Sequence, residues 1–320
     1  MSTAYPSADR DRDRWILERR PARRPLDPAR PYAAFVEKEM AESGEVVPVA
    51  TILLTNRECP WRCLMCDLWK NTLPEPAPPG SAGAQIRAAL AALPPARHVK
   101  LYNAGSFFDA QAIRPEEDPA IAVLLRPFER VIVESHPALV GERCLRLRDR
   151  LAGRLEVALG LETIHPGILP RLNKRMTIDD FQRAAGFLHE ADIAMRAFVL
   201  VGLPWLPEAE SLDWACRSTH FAFACGASAV SLIPTRAGNG ALDALSASGD
   251  FAEPGLTSLE AALEFGIQLG RGRVFADLWD LERFSRCAAC LPARAARLTE
   301  TNLRQVVRPR VACAECAGLA

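Results

Sequence analysis

Two rhythms alternate along the chain. Short runs dense in Val, Ile and Leu at 46–54, 98–103, 130–134, 155–161, 194–201 and 229–233 read as strands, and 273–278 reads as a further one. Between them, 82–93, 120–128, 139–151, 177–190, 208–225 and 258–269 read as helices. Thr177 stands where it can cap its helix, and Asp179 and Asp180 fall in the first turn, where negative charge suits the dipole. Strand then helix, six times over, predicts a parallel sheet with covering helices. The pattern alone leaves a closed or partly closed barrel and an open doubly wound sheet side by side. No Gly-x-Gly-x-x-Gly follows the first strand, which disfavours a dinucleotide-binding sheet. Residues 1–45 read as an irregular arm broken by Pro6, Pro21, Pro25, Pro28 and Pro31, with one short helix at 32–43. The chain thus divides into an arm (1–45), a core (46–270) and a C-terminal extension (271–320).

Composition narrows the class. At 320 residues, 49% hydrophobic and 24% charged, the chain has an ordinary globular balance. No apolar stretch reaches the ~18 residues of a membrane span, and no apolar run marks a secretory signal, so a cytoplasmic protein with no membrane partner is expected. Seven of the ten cysteines fall in close-spaced sets, which in such a chain reads as metal ligation.

The first set, Cys59-Pro-Trp-Arg-Cys63-Leu-Met-Cys66, follows the first predicted strand. Three thiolates at this spacing can hold three irons of a [4Fe–4S] cubane and leave the fourth iron without a protein ligand, the open position that a catalytic metal needs; a zinc site lacking its fourth ligand is the plainer reading beside it. The triplet resembles the signature of the radical S-adenosylmethionine (SAM) superfamily. That resemblance implies a partial (β/α)6 barrel with the chemistry on loops at the carboxyl ends of its strands. It also implies SAM on the open iron and a 5′-deoxyadenosyl radical that abstracts hydrogen from substrate. Later strand ends are similar to the family as well. Gly105 and Ser106 stand where many members carry Gly-Gly-Glu, here without the glutamate. Glu134 and Ser135 end the third strand, Gly160-Leu161-Glu162 ends the fourth and Pro234 ends the sixth. The resemblance makes these six residues (Gly105, Ser106, Glu134, Ser135, Glu162 and Pro234) the expected SAM contacts. The pattern is most similar to the branch of the elongator catalytic subunit and the archaeosine-synthesis lyase. It implies a modified tRNA base as substrate, and an electron donor such as flavodoxin or ferredoxin.

Two further pairs, Cys287/Cys290 and Cys313/Cys316, suit a four-cysteine zinc site or a second iron–sulfur cluster. Arg294, Arg297, Arg304, Arg308 and Arg310 lie between them, and residues 271–310 carry a net +5 while 31–270 carry about −7. That asymmetry suits either a polyanion contact or a solvated arginine-rich face. Cys144, Cys216 and Cys225 read as packing residues, as do Trp205, Trp214 and Trp279. His136 and His165 follow strands and are weaker active-site candidates. Two alternatives stay beside the tRNA reading: a radical SAM enzyme of a small metabolite or peptide, and a non-catalytic metal scaffold.

Overall fold

The computed structural model describes residues 4–317. Eight strands form one sheet in chain order: β1 (Ala33–Met40), β2 (Val46–Leu53), β3 (His98–Tyr102), β4 (Arg130–Ser135), β5 (Arg154–Glu162), β6 (Ala194–Val201), β7 (Ala229–Pro234) and β8 (Arg273–Ala276). β2 to β8 are parallel; β1 is antiparallel to β2. Ten α-helices accompany them among the described residues: α1 (Asp9–Leu17), α2 (Ser81–Ala92), α3 (Asp118–Leu125), α4 (Glu142–Arg150), α5 (Ile178–Glu190), α6 (Glu208–Ala224), α7 (Ala241–Ala247), α8 (Leu256–Gln268), α9 (Leu291–Arg304) and α10 (Ala314–Ala317). The sheet curls into a partial barrel, so the open doubly wound alternative falls. α9 packs against both edge strands, β1 and β8. Arg273 of β8 also donates to the Met40 carbonyl of β1 at 3.2 Å.

All seven predicted strands match their observed positions to within two residues. Thr177 caps α5 through a full capping box with Asp180. The arm departs from expectation. Residues 33–40 form strand β1, not a helix, because Ala33–Met40 finds a complete antiparallel partner in β2. The arm's helix is α1, whose Trp15 and Ile16 are buried.

The barrel interior carries charge that the strand pattern conceals. Glu37, Glu39, Glu42 and Glu156 face Lys100, Arg130, Arg196 and Arg273 in one connected network. Buried ions are tolerated only when paired; here Glu39 and Glu156 are buried among the four cations, and the more exposed Glu37 and Glu42 complete the pairing. Burial pushes the Glu156 carboxyl up, but Arg196, Arg273 and Arg130 overcome it and hold it at about 2. The layer forms a neutral floor beneath the cavity at the strands' carboxyl ends.

Candidate functional site

A cavity of about 930 Å³ opens above this floor. Cys59, Cys63 and Cys66 line it, together with Gly105, Glu134, Ser135, Glu162 and Pro234. The loop that carries the cysteines is pinned by backbone-directed amides. Asn173 Nδ2 donates to the Arg62 carbonyl at 2.8 Å, and Asn239 Nδ2 donates to Leu64 O at 2.8 Å and Cys66 O at 3.2 Å. Gln85 of α2 bonds both backbone groups of Thr55 at 2.8 Å. Gly105 lets the loop approach: a Cβ there would stand 3.1 Å from Cys59 Cβ.

The donor set fits an iron–sulfur cluster. Burial pushes all three thiols up, Cys63 to about 12, and as thiolates they would repel one another. A cationic metal group on these sulfurs removes that penalty. Among the described residues, the triplet is not gathered tightly enough for one ion, whereas the C-terminal four are. Polar groups face the same cavity. Glu134 Oε1 accepts from Asn103 N at 2.5 Å, so its carboxylate enters the β3 loop, which lacks the glutamate found in many members. Burial raises that carboxyl to about 7 against the pull of the Asn103 and Gly105 N–H groups and Lys174. The Thr235 hydroxyl lines the cavity and has no partner among the described residues.

Of the six expected contacts, Ser106 alone lies outside the cavity lining. Ser106 is fully buried and not among the lining residues; its hydroxyl sits 3.0 Å from Ser135 Oγ and accepts from His136 N. Glu162 pairs with Lys174 in the cavity wall, at a β5 bulge where Glu162 has φ 64°. Gly160 leaves room for that pair, since a Cβ there would displace the ends of both side chains. His136 lines the cavity and stacks on Trp61 of the cysteine loop, with centroids 3.7 Å apart. Its Nδ1 accepts from Ala138 N and its Nε2 lies 3.0 Å from Lys174 O, which assigns it a positioning role. His165 lies away from the cavity and accepts from Gly167 N and Ile168 N. Cys144 is fully buried in the main core, as expected. Trp279, expected to pack in the interior, is instead 58% exposed on the cavity rim, 5.7 Å from Phe35. Lys174 and Trp279 are lining residues that sequence reasoning does not reach. Gly160, which admits the Glu162–Lys174 pair, is the one signal that points to the first of them.

The four C-terminal sulfurs lie within 4.8 Å of one another, with Cys287–Cys313 at 3.8 Å and Cys290–Cys316 at 3.5 Å. A tetrahedral ion with bonds of about 2.3 Å sets its sulfurs about 3.8 Å apart, so the group fits one ion. The arginines between the pairs are largely committed. Arg294 pairs with Glu260, Arg308 with Glu300 and Arg310 with Glu264. Arg297 is buried against Glu260 and Glu264. Arg304 is exposed, with no ion pair among the described residues.

No family model matches the chain. An uncharacterized protein of Methanocaldococcus jannaschii is 23% identical over 69% of this chain and 64% of its own length. The archaeosine synthase subunit beta of Methanosarcina acetivorans is 27% identical over 59% of this chain and 58% of its own. The matches thus span less than two-thirds of these relatives. Among solved structures, methylornithine synthase (PylB) aligns with a TM-score of 0.52 at 13% identity, over 79% of this chain and 70% of its own. The archaeal Methanocaldococcus infernus Elp3 with an N-terminal deletion aligns at 0.50 and 12%, over 70% and 59%. No helix among the described residues is long and apolar enough to cross a membrane. In its cysteine loop, its partial barrel and its relatives, this chain resembles the radical SAM enzymes, and within them the elongator and archaeosine-synthesis branch.

Proposed function

We propose that the chain is a radical SAM enzyme acting on a modified base in tRNA. The observation that carries the chemistry is that three thiols line one large cavity closed below by a charge-paired floor. Cys59, Cys63 and Cys66 would hold a [4Fe–4S] cluster, which with bound SAM would supply the radical chemistry for hydrogen abstraction. The chain's own residues bind, orient and shield. Glu134 and Ser135 present polar groups beside the cysteine loop, Gly105 gives close backbone approach, and Pro234 and Thr235 edge the opposite wall. Phe198, Leu200, Ile233 and Phe275 line an apolar stretch that keeps water from the reacting carbon. A one-electron donor such as a flavodoxin or ferredoxin would reduce such a cluster.

The tRNA reading is supported by the archaeosine synthase relatives and by an exposed aromatic, Trp279, at the mouth. The arginine-rich extension supports it less, since most of its guanidiniums are paired internally. For the four-cysteine group we propose zinc over a second cluster. Sulfurs on four different irons would splay wider than the spacing here, which suits one shared ion. Anaerobic reconstitution followed by iron analysis, 5′-deoxyadenosine detection and tRNA binding at low salt tests the reading. A protein that gains iron but never cleaves SAM overturns the chemistry. One that cleaves SAM and shows no tRNA affinity turns the substrate towards a small molecule.

A further inference from the structure

A second, smaller core lies apart from the barrel's main one. It joins Trp15 and Ile16 of α1 to Leu64 of the cysteine loop, Ile168 and Leu172 after β5, Leu200 and Leu203 around the end of β6, and α7. The N-terminal segment therefore packs directly on the loop between two candidate iron ligands. Its polar contacts converge there too. Tyr5 Oη donates to Arg171 O at 2.7 Å and Arg12 donates to Pro170 O at 2.8 Å. Asp13 accepts from Asn173 Nδ2 at 2.8 Å, the same amide nitrogen that holds Arg62 O. Gly240 admits the segment: a Cβ there would collide with the Arg19 carbonyl.

Glu58, next to Cys59, is the hub. Its side chain is 7% exposed and meets three guanidiniums: Arg20 at 2.7 Å, Arg23, and Arg62 at 3.3 Å. Arg20 is equally buried and also lies over the Trp69 ring. Arg62 donates in turn to the Cys59 carbonyl at 2.7 Å. One carboxylate thus ties the N-terminal segment to both sides of the first cysteine. A buried charge with several partners holds a fixed geometry, because losing it strands the cations it satisfied.

We propose that residues 5–23 form a clasp that assembles the cysteine loop before any metal arrives, with Glu58 as its positioning residue. The purpose of the clasp rests on the cluster reading above; its existence does not. The test therefore uses the metal-free, full-length chain. Cysteine alkylation by iodoacetamide is followed residue by residue by mass spectrometry, with Cys144 in the main core as the reporter of global folding. In Glu58→Gln the rates at Cys59, Cys63 and Cys66 rise about tenfold or more, the scale of a local opening eased by loss of a buried pair, while Cys144 stays protected. Glu58→Asp, which keeps the charge, falls between that variant and the wild type. Rates in Glu58→Gln equal to wild type overturn the proposal. If Cys144 also becomes reactive, Arg20→Lys and Arg23→Gln are read in the same way. A selective rise in either supports the clasp, and none in both overturns it. Iron content of the reconstituted wild type judges the cluster reading separately, so the two can fail independently.

Discussion

The chain holds two cysteine groups, and the contrast between them shows how the same side chain is put to different uses. The triplet sits in the wall of a large cavity, its sulfurs spread and its thiols pushed up by burial. The C-terminal four converge within 4.8 Å and share hydrogen bonds, which draw Cys287 down to about 7 while Cys290 and Cys316 are pushed up. Four donors at tetrahedral spacing close a site; three spread donors facing empty volume leave one open. The barrel floor gives a third case, in which buried charges carry their counterions within the protein and need no metal.

The contrast breaks first at the triplet. Replacing Cys59, Cys63 and Cys66 together by Ala is expected to bring 5′-deoxyadenosine formation to background and leave about one zinc per chain. Iron retained at cluster stoichiometry in that variant would move the second group into the iron–sulfur class. Next comes the floor. Glu156→Gln leaves Arg273 without its carboxylate and takes one of two from Arg196 and Arg130, and is expected to cost about 3–5 kcal/mol at neutral pH in urea unfolding. Glu156 titrates at about 2 in the folded chain against an ordinary 4.5. The stability it contributes is therefore full above about pH 4.5 and is lost as pH falls towards 2. The variant should accordingly lose less stability than wild type between pH 7 and pH 3.

Smaller effects sharpen the comparison. Cys290→Ser is expected to lower stability by about 3 kcal/mol through loss of the ion, with SAM cleavage retained in the folded fraction. Calorimetry with metal analysis checks it, and loss of the triplet's iron in parallel would couple the two sites. The least costly change separates the arginines. Arg304→Ala is expected to leave stability within about 0.5 kcal/mol and to flatten the salt dependence of tRNA binding by about 0.7–0.9 in log–log slope. Arg297→Ala should instead destabilise the fold, because its guanidinium satisfies Glu264 and the Arg308 carbonyl. A tRNA slope unchanged in Arg304→Ala would remove the extension from the binding surface.

Much of the site is legible because its signals are local. Cys59, Cys63 and Cys66 lie within one loop, and strand ends such as Glu134-Ser135 need only a correct strand boundary to be placed at the cavity. Ser106 illustrates the limit. It is adjacent to Gly105 in sequence, yet its hydroxyl turns to Ser135 and away from the cavity. The arm misleads for a related reason. Ala33–Met40 has the composition of a short helix, and only the partner strand β2 makes it extended. Trp279 looks like any core tryptophan until the ends of β8 and β1 set it at the rim.

The sequence by itself determined the alternation of strands and helices, the cap at Thr177 and the two metal-ligand spacings, because each depends on residues within a few positions of one another. Tertiary structure decided that the sheet curls into a partial barrel and that four carboxylates meet four cations in its floor. It also placed Lys174 beside Glu162, and Arg20 and Arg23 of the N-terminal segment beside Glu58, which Arg62 of its own loop also meets. Those arrangements join residues far apart in the chain. Their energies come from burial and pairing of charge, which no local pattern records.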